Sequence, residues 1–567
     1  MKNPQYSAWN PGIESEIPAA YRELETIYRA ENVTSSIDEI NEFTANTGLT
    51  HDELVVFRPM RLALHELIVR VNADIVVLEG EQEEDLGINF RIIADQIYCK
   101  YVLPQRPKIE RAHRALDQQV RGLLEAEFAQ TLFPAASSLA KSKPSIMSRI
   151  FGTSKKPAVP TETTLERQLR IINSFKEQGL NTSDELERAI FRGLYQVLGA
   201  IVATRGLLGH DQEQLIDLTA RHVCNHQGSL MIGKQIDTWV KQAIETEGYD
   251  LIPEAQKPVI ISLKGASASG KSSLRPRLLK MINELGIEAD GYGTISPDIW
   301  RRILLEYDSL GEAYKYAGRL TSNEVNIIDR KLDQYIRGKA NHRNSTPHLV
   351  VDRFRFDSFQ SEKISRILHK TYAKYTDTMY MYFIITPPEA TVERGWERGL
   401  VRGRYKSVED FLGHCVEAYA GMPKLLFKWL STPMPRFIFE FLDNSVPKNS
   451  YPRTIARGTQ GTMDIYDPIA LINIERYQKI NVMAHSPEAV YPQQSLMEIP
   501  ENTGFLRLCI RKIEHIRFID QKTEKEYLHV HKGTFKLIDA SIFETKINNP
   551  ELALIFSEIA PEIIPCQ

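Results

Sequence analysis

The chain has 567 residues, 42% hydrophobic and 25% charged, a mix that excludes a wholly disordered protein, and 31 Gly with 29 Pro is too few for a collagen-like or low-complexity one. At roughly 150 residues per domain, the length predicts about three or four domains. The 70 basic residues against 73 acidic ones leave a formal charge of -3, so no global polycation points to a nucleic-acid partner.

The opening MKNPQYSAWNPG places Pro, Asn and charge where a signal peptide needs an apolar core, so no Sec-type signal is read and a cytoplasmic protein is expected; export by another route leaves no trace in such features. Five scattered cysteines (Cys99, Cys224, Cys415, Cys509, Cys566) form no CxxC pair, which fits a reducing compartment. The longest apolar runs, VLGAIVA (197–203) and MYMYFII (379–385), fall far short of the roughly 20 residues that cross a bilayer, and no transmembrane segment is expected.

Residues 1–132 read as a helical domain. RLALHELIVRVNADIVVLEGE (61–81) repeats apolar residues at three- and four-residue steps, as does Arg111 to Glu127. Residues 133–164 turn rich in Ser, Pro, Thr and Lys, with Glu162 the only acid, and read as an exposed basic linker. A second helical block, 165–252, is expected to pack on the domain that follows; its segment 184–209 carries a broad apolar stripe ending in a Gly cap signal. From 253 to 450, short β-rich runs at 259–265, 291–296, 348–352, 378–386 and 436–442 alternate mostly with helical stretches. That alternation predicts an α/β fold with a doubly wound parallel sheet. Residues 451–567 read as a small α+β module in which 505–539 form strands or a hairpin before a short terminal helix.

The chemistry concentrates in Gly265-Ala266-Ser267-Ala268-Ser269-Gly270-Lys271-Ser272-Ser273, which satisfies G-x-x-x-x-G-K-[ST] between an apolar strand and a helical segment. Glycines let backbone N–H groups converge on a polyphosphate, and the following helix adds the positive end of its dipole. Lys271 supplies charge to the β- and γ-phosphates of ATP, and the Ser272 hydroxyl suits Mg²⁺. Pro276 is expected near the second turn of that helix, where it would kink it.

No N-K-x-D base-recognition tetrapeptide follows, which argues against a switch GTPase. The second strand instead ends in Ser296-Pro297-Asp298-Ile299-Trp300-Arg301-Arg302. An acid at the carboxyl end of a neighbouring strand faces the same crevice and can take a proton from an attacking hydroxyl; helix capping is its competing role. The strand HLVVD closes on Asp352, placed to hold Mg²⁺ or its waters, with a surface salt bridge as the alternative. After Thr386-Pro387-Pro388 comes a helix with Arg394, Arg398 and Arg402 at four-residue steps and Arg404 just beyond. Like charges at that spacing repel, and clamping a transferring phosphoryl group explains them better than a solvated face offset by Glu393 and Glu397.

The series GASASGKSS, SPDIWRR, NEV on a helix, VVDRFRFDS, ERGWERGLVRGR and FLDNS resembles the zeta-toxin family of P-loop kinases over residues 256–446. The resemblance implies ATP-dependent phosphorylation of a hydroxyl on a small-molecule acceptor, typically a UDP-activated amino sugar. It implies that Lys271 and Ser272 hold ATP and Mg²⁺, that Asp298 is the base, that Glu324 binds the acceptor and that the lid arginines lie among Arg394, Arg398, Arg402 and Arg404. Arg301 and Arg353, beside the base and the third strand, are expected to line the same acceptor pocket. The chain departs from the family at Asp352-Arg353, where a Gly-Thr pair is usual, and at Pro297 before the base.

Two alternatives stand beside a kinase. The first is an interaction protein whose P-loop domain is a structural or switching element and whose N-terminal helices dock a protein partner. The second is a kinase acting on a protein or nucleic-acid end. His222, Cys224 and His226, with His210 upstream, are expected to play ordinary core and surface roles rather than hold zinc. His529 and His531 alternate on a strand and are read as a solvated face.

Overall fold

The computed structural model describes residues 6–80, 84–133, 162–271, 274–352, 374–447 and 450–564. The central part of the basic linker (134–161) and Ser272, Ser273 and Arg353 of the expected site lie outside the described residues. Two compact units divide the rest: one takes 6–21, 69–93 and 249–564, the other 22–68 and 94–248.

The smaller unit is helical among its described residues. Its helices include Ile37–Thr47, Arg106–Thr131, Thr164–Asn181, Glu185–Arg205 and Gln212–Glu247. Ser36, Thr163, Asp184 and Asp211 cap four of the N-termini by accepting a backbone N–H, and Gly48, Gly206 and Gly248 end three helices in the left-handed conformation. His222 is buried against Gln196 (Nε2 to Oε1, 2.9 Å), and the Cys224 thiol lies 3.7 Å from Asp117 Oδ1. Burial pushes His222 down to about 4 and Cys224 up to about 12, so both are neutral packing residues at pH 7.

The larger unit is built on one ten-stranded sheet. Its strands are β1 (Val259–Lys264), β2 (Tyr292–Ile295), β3 (His348–Asp352), β4 (Thr378–Ile385), β5 (Arg436–Asp443), β6 (Arg453–Thr459), β7 (Thr462–Ile465), β8 (His515–Ile519), β9 (Glu526–His531) and β10 (Thr534–Leu537). Their spatial order is β10-β9-β8-β7-β6-β5-β4-β1-β3-β2. The first five strands are all parallel and coincide with the five apolar runs read from the sequence. Their continuous hydrophobicity follows from burial on both faces, as in β1, where Ile260, Ile261 and Leu263 are each nearly inaccessible.

Beyond β5 the sheet continues through antiparallel β6 and β7, a parallel β7–β8 pair, and the antiparallel β8-β9-β10 meander. The residues after 451 thus extend the same sheet. The helices used below are α1 (Arg275–Glu284), α2 (Ser322–Arg343), α3 (Pro388–Arg402), α4 (Val408–Leu430) and α5 (Gly504–Lys512).

Three local expectations are corrected. Pro276 falls in the first turn of α1, where its missing N–H costs no intrahelical bond, and the helix runs on without a kink. The helix expected over 61–81 is Pro59–Asp74 and stops seven residues short. The stretch 504–512, expected as strand, is helix α5. Leu506, Leu508 and Ile510, alternating with Arg507, Cys509 and Arg511, mimic a two-residue period, but burial falls on Phe505, Leu506, Cys509 and Ile510, a helical spacing. The Glu475 carboxylate fixes its start by accepting the N–H groups of Gly504 (2.8 Å) and Phe505 (2.9 Å).

The sheet core beside the phosphate loop explains why α1 sits where it does. Leu274, Leu278 and Ile282 recur every four residues and pack on Ile261, Leu263, Val350, Tyr382, Ile384 and Leu442. On α3, Gly395 and Gly399 clear room for neighbouring rings: a Cβ at Gly395 would lie 2.0 Å from the Phe411 ring of α4, and one at Gly399 would lie 2.5 Å from Tyr405. No helix among the described residues is long and apolar enough to cross a membrane.

Candidate active site

The loop after β1 carries out the turn its spacing predicts. Ala268 and Gly270 both take positive φ (59° and 90°), curling the backbone over the head of α1. A Cβ at Gly270 would lie 2.1 Å from Asn444 Nδ2, so only glycine fits. Neighbouring strands hold the bend from outside: the Ser269 carbonyl accepts from Asn444 Nδ2 (2.7 Å) after β5 and from Thr386 Oγ1 (2.9 Å) after β4. Thr386 is positioned in turn by Tyr419 of α4, whose hydroxyl donates to its carbonyl (2.6 Å) and accepts its N–H (2.7 Å). Lys271 folds back over the loop, Nζ donating to the carbonyls of Gly265 (3.1 Å) and Ala266 (2.9 Å). Burial lowers its pKa, and the charges of Asp352 and Asp298 oppose that shift.

Asp298 lies on the 3-10 turn Pro297–Trp300 at the carboxyl end of β2, anchored by the fully buried Trp300. Its side chain is 49% exposed on one side and walled by protein on the others, an acid in an open cleft. Two guanidinium groups grip it: Arg301 Nε at 2.8 Å from Oδ1 and Arg404 Nη2 at 2.5 Å from Oδ2. Burial alone would raise its pKa, but Arg404, Arg301 and Arg398 outweigh it and hold the carboxyl well below the usual range. Arg301 also donates to the Gly318 carbonyl, Thr321 Oγ1 (2.8 Å) and Ser322 Oγ (3.3 Å), so it ties the acid to the start of α2. Glu324, fully buried, sits in the first turn of that helix, where the dipole favours a carboxylate.

The lid arginines do not act as one row. Four residues of helix turn 400°, so each step in the series rotates about 40° and the first and third arginines diverge. Arg394 donates to the carbonyls of Asn444 (2.9 Å) and Val446 (3.1 Å), bracing the segment after β5. Arg402 pairs with Glu84. Arg398, between them, acts electrostatically on both Lys271 and Asp298. Gly403, at φ 66°, ends α3 in the left-handed conformation and turns the chain so that Arg404 reaches Asp298.

Two residues that the arginine pattern obscured join the cleft. Lys406 Nζ lies 3.1 Å from His414 Nδ1, and burial with the neighbouring Arg398 pushes the lysine down to about 7 despite Asp298 and Asp410. Burial and Lys406 keep His414 neutral. A lysine two residues past a run of arginines gave the only sequence signal; His414 gave none. Lys271, Asp298, Asp352, Arg301, Arg398, Arg404 and Lys406 therefore share one electrostatic environment. Arg402 is paired with Glu84, whereas Arg394 braces the segment after β5 with one Nη 3.7 Å from where a Cβ of Gly270 would stand; Ser272, Ser273 and Arg353 lie outside the described residues.

No protein-family model matches the chain, and no curated protein matches it in sequence. Among solved structures, the chain is similar over 43% of its length to 69% of a chain in the crystal structure of AvrRxo1-ORF1:AvrRxo1-ORF2 with sulphate ions, at 13% identity and a TM-score of 0.31. The native AvrRxo1-ORF1:-ORF2 complex gives 12% identity over 43% of this chain and 72% of that one, with a TM-score of 0.28. A chain of the PezAT chromosomal toxin-antitoxin system of Streptococcus pneumoniae gives 15% identity over 39% of this chain and 81% of that one, with a TM-score of 0.26. Scores this low establish no shared fold.

Proposed function

We propose that the chain is an ATP- and Mg²⁺-dependent phosphotransferase that phosphorylates a hydroxyl of a small molecule, with a UDP-amino sugar or another nucleotide derivative as the acceptor class. The observation that carries this reading is that Asp298, at the end of β2 and one strand removed from β1, acts electrostatically on the phosphate-loop Lys271, while Arg398 and Arg404 act on both.

The residues fit a triphosphate. Gly270 leaves no room for a Cβ, Ala268 accepts a left-handed backbone, and Lys271 rests on loop carbonyls that a phosphate can replace as its partners. ATP would be held by the backbone of 265–271 and by Lys271; Mg²⁺ would be held by Ser272 and Asp352 and would neutralise charge on the terminal phosphates. Asp298 would accept the acceptor's hydroxyl proton as that oxygen attacks the γ-phosphorus and ADP departs. Arg398 and Arg404 would stabilise the charge that develops in the transition state; Glu324, fully buried in the first turn of α2, would support the cleft from behind rather than touch the acceptor.

Asp298 gripped by two arginines is a weak base. Drawing Arg404 toward the incoming phosphate would remove one of its positive neighbours and raise its proton affinity when the reaction needs it. Lys271→Ala is expected to abolish phosphoryl transfer while the far-UV spectrum and melting profile stay native. Turnover at the native rate would defeat the proposal, and ATP binding without turnover toward any hydroxyl acceptor would favour the interaction-protein alternative.

A further inference from the structure

Far along the sheet from the phosphate loop, three ligating side chains converge where β8 and β9 pair. His515 and His531 are directly opposed in the antiparallel register, and Glu514 immediately precedes β8. We propose that Glu514, His515 and His531 bind one divalent first-row cation of the zinc class, and that Glu526 and His529 orient its ligands.

One ligand atom from each of the three residues lies within 4.8 Å of the others. Glu514 Oε1 is 4.0 Å from His515 Nε2 and 3.9 Å from His531 Nε2. Tetrahedral zinc with ligands at about 2.0–2.1 Å separates its donor atoms by about 3.4 Å, so the two gaps to Glu514 must each close by about half an ångström. The two imidazoles stack 4.6 Å apart at 18°, and a turn about Cβ–Cγ aims both lone pairs at one point. Side chains 43% and 53% exposed leave room for that turn and for water in the fourth position.

A hydrogen-bond relay sets the tautomer the site needs. His529 Nδ1 donates to Glu526 Oε1 at 2.6 Å, which leaves its Nε2 as an acceptor 3.3 Å from His515 Nδ1. His515 then carries its proton on Nδ1 and presents the Nε2 lone pair to Glu514 and His531. The ligating His515 is thus held through its far nitrogen by His529, which Glu526 holds in turn, an extended form of the outer support that metal-binding histidines receive. Two imidazoles with one carboxylate suit zinc and its neighbours, whereas Mg²⁺ and Ca²⁺ prefer all-oxygen shells. Without a metal, the Lys532 ammonium sits 3.2 Å from Glu514 Oε1 and supplies the positive charge that a cation would replace.

The test is calorimetric titration of the chelator-treated full-length chain with ZnCl₂ and, separately, with MgCl₂. One zinc-specific binding event is expected. His515→Ala and His531→Ala should each weaken it by at least about tenfold, and Glu526→Gln, which touches no metal, should weaken it by about tenfold. Lys532→Ala should tighten it, a gain that no folding defect imitates. The proposal is overturned if the native chain takes up no zinc below about millimolar, if the double variant His515→Ala/His531→Ala binds zinc like the native chain, or if Mg²⁺ binds equally well.

Discussion

The hydroxyl of Tyr419 offers a sharp test of how the phosphate loop is held. It is fully buried on α4 and serves both polar groups of one peptide, donating to the Thr386 carbonyl at 2.6 Å and accepting the Thr386 N–H at 2.7 Å. Tyr419→Phe keeps the ring and its packing but strips this partner from two buried backbone groups. The hole is one oxygen in size, too small for a replacement water. Each group so stranded costs about 1–3 kcal/mol, giving about 2–6 kcal/mol for the pair, a large share of the roughly 5–15 kcal/mol that stabilises a folded domain. Thr386 also holds the Ser269 carbonyl through Oγ1, so its loosening should reach the loop and weaken ATP binding by about tenfold, the equivalent of one hydrogen bond. Thr386→Val is the comparator. It removes only the bond to Ser269, whose carbonyl keeps Asn444, and should cost about 1 kcal/mol. Urea denaturation gives the stabilities and calorimetry the affinities. If Tyr419→Phe costs under about 1 kcal/mol, or no more than Thr386→Val, the account of the loop's support is wrong.

The lid arginines should separate in kinetics. Arg404→Gln and Arg398→Gln are expected to lower phosphoryl-transfer kcat by about 10²–10³, as loss of a transition-state donor does, whereas Arg402→Gln, whose partner is Glu84, should leave kcat within a few-fold. Equal losses at 402 and 404 would contradict the split. Lys406 carries a pH signature. Its folded pKa of about 7 lies below the ordinary lysine value, so the unfolded chain binds more protons and this lysine destabilises the fold most at low pH, an effect relieved as pH rises from about 7 toward 10.5. Lys406→Met should therefore stabilise the protein near pH 6 and lose that advantage by about pH 10; a gain independent of pH would place the lysine in solvent.

How much of this was legible in the sequence depended on whether a signal was local. The five parallel strands showed because a strand buried on both faces is an unbroken apolar run, as in Val259–Lys264 and Thr378–Ile385. The phosphate loop showed because its chemistry demands Gly270 and Lys271 at fixed spacing. The continuation of the sheet through β6–β10 did not show, since pairing between Asp443 and Arg453 or between Thr462 and His515 is a tertiary register that no period encodes. Arg394, Arg398 and Arg402 look equivalent in the sequence and diverge only because a helix turns more than a full circle in four residues. Tyr419 and His414 gave no signal, since their roles exist only where α4 crosses the ends of β4 and α3.

The charges of the cleft are balanced against one another before any ligand arrives. Lys271 rests on two loop carbonyls, Asp298 on Arg301 and Arg404, and Lys406 beside the neutral His414. These contacts differ from the buried Tyr419 bridge in that the Asp298 side chain is half exposed, although Arg301 and Arg404 are largely covered. They converge on one open cleft, so a polyanion that enters it can exchange them for phosphate contacts. In the proposed reaction this couples the steps. Phosphate must draw off Lys271 and Arg404 before Asp298 regains enough proton affinity to act, so an acceptor hydroxyl that arrives first meets an acid too weakly basic to deprotonate it. ATP would therefore bind first and arm the cleft for its acceptor.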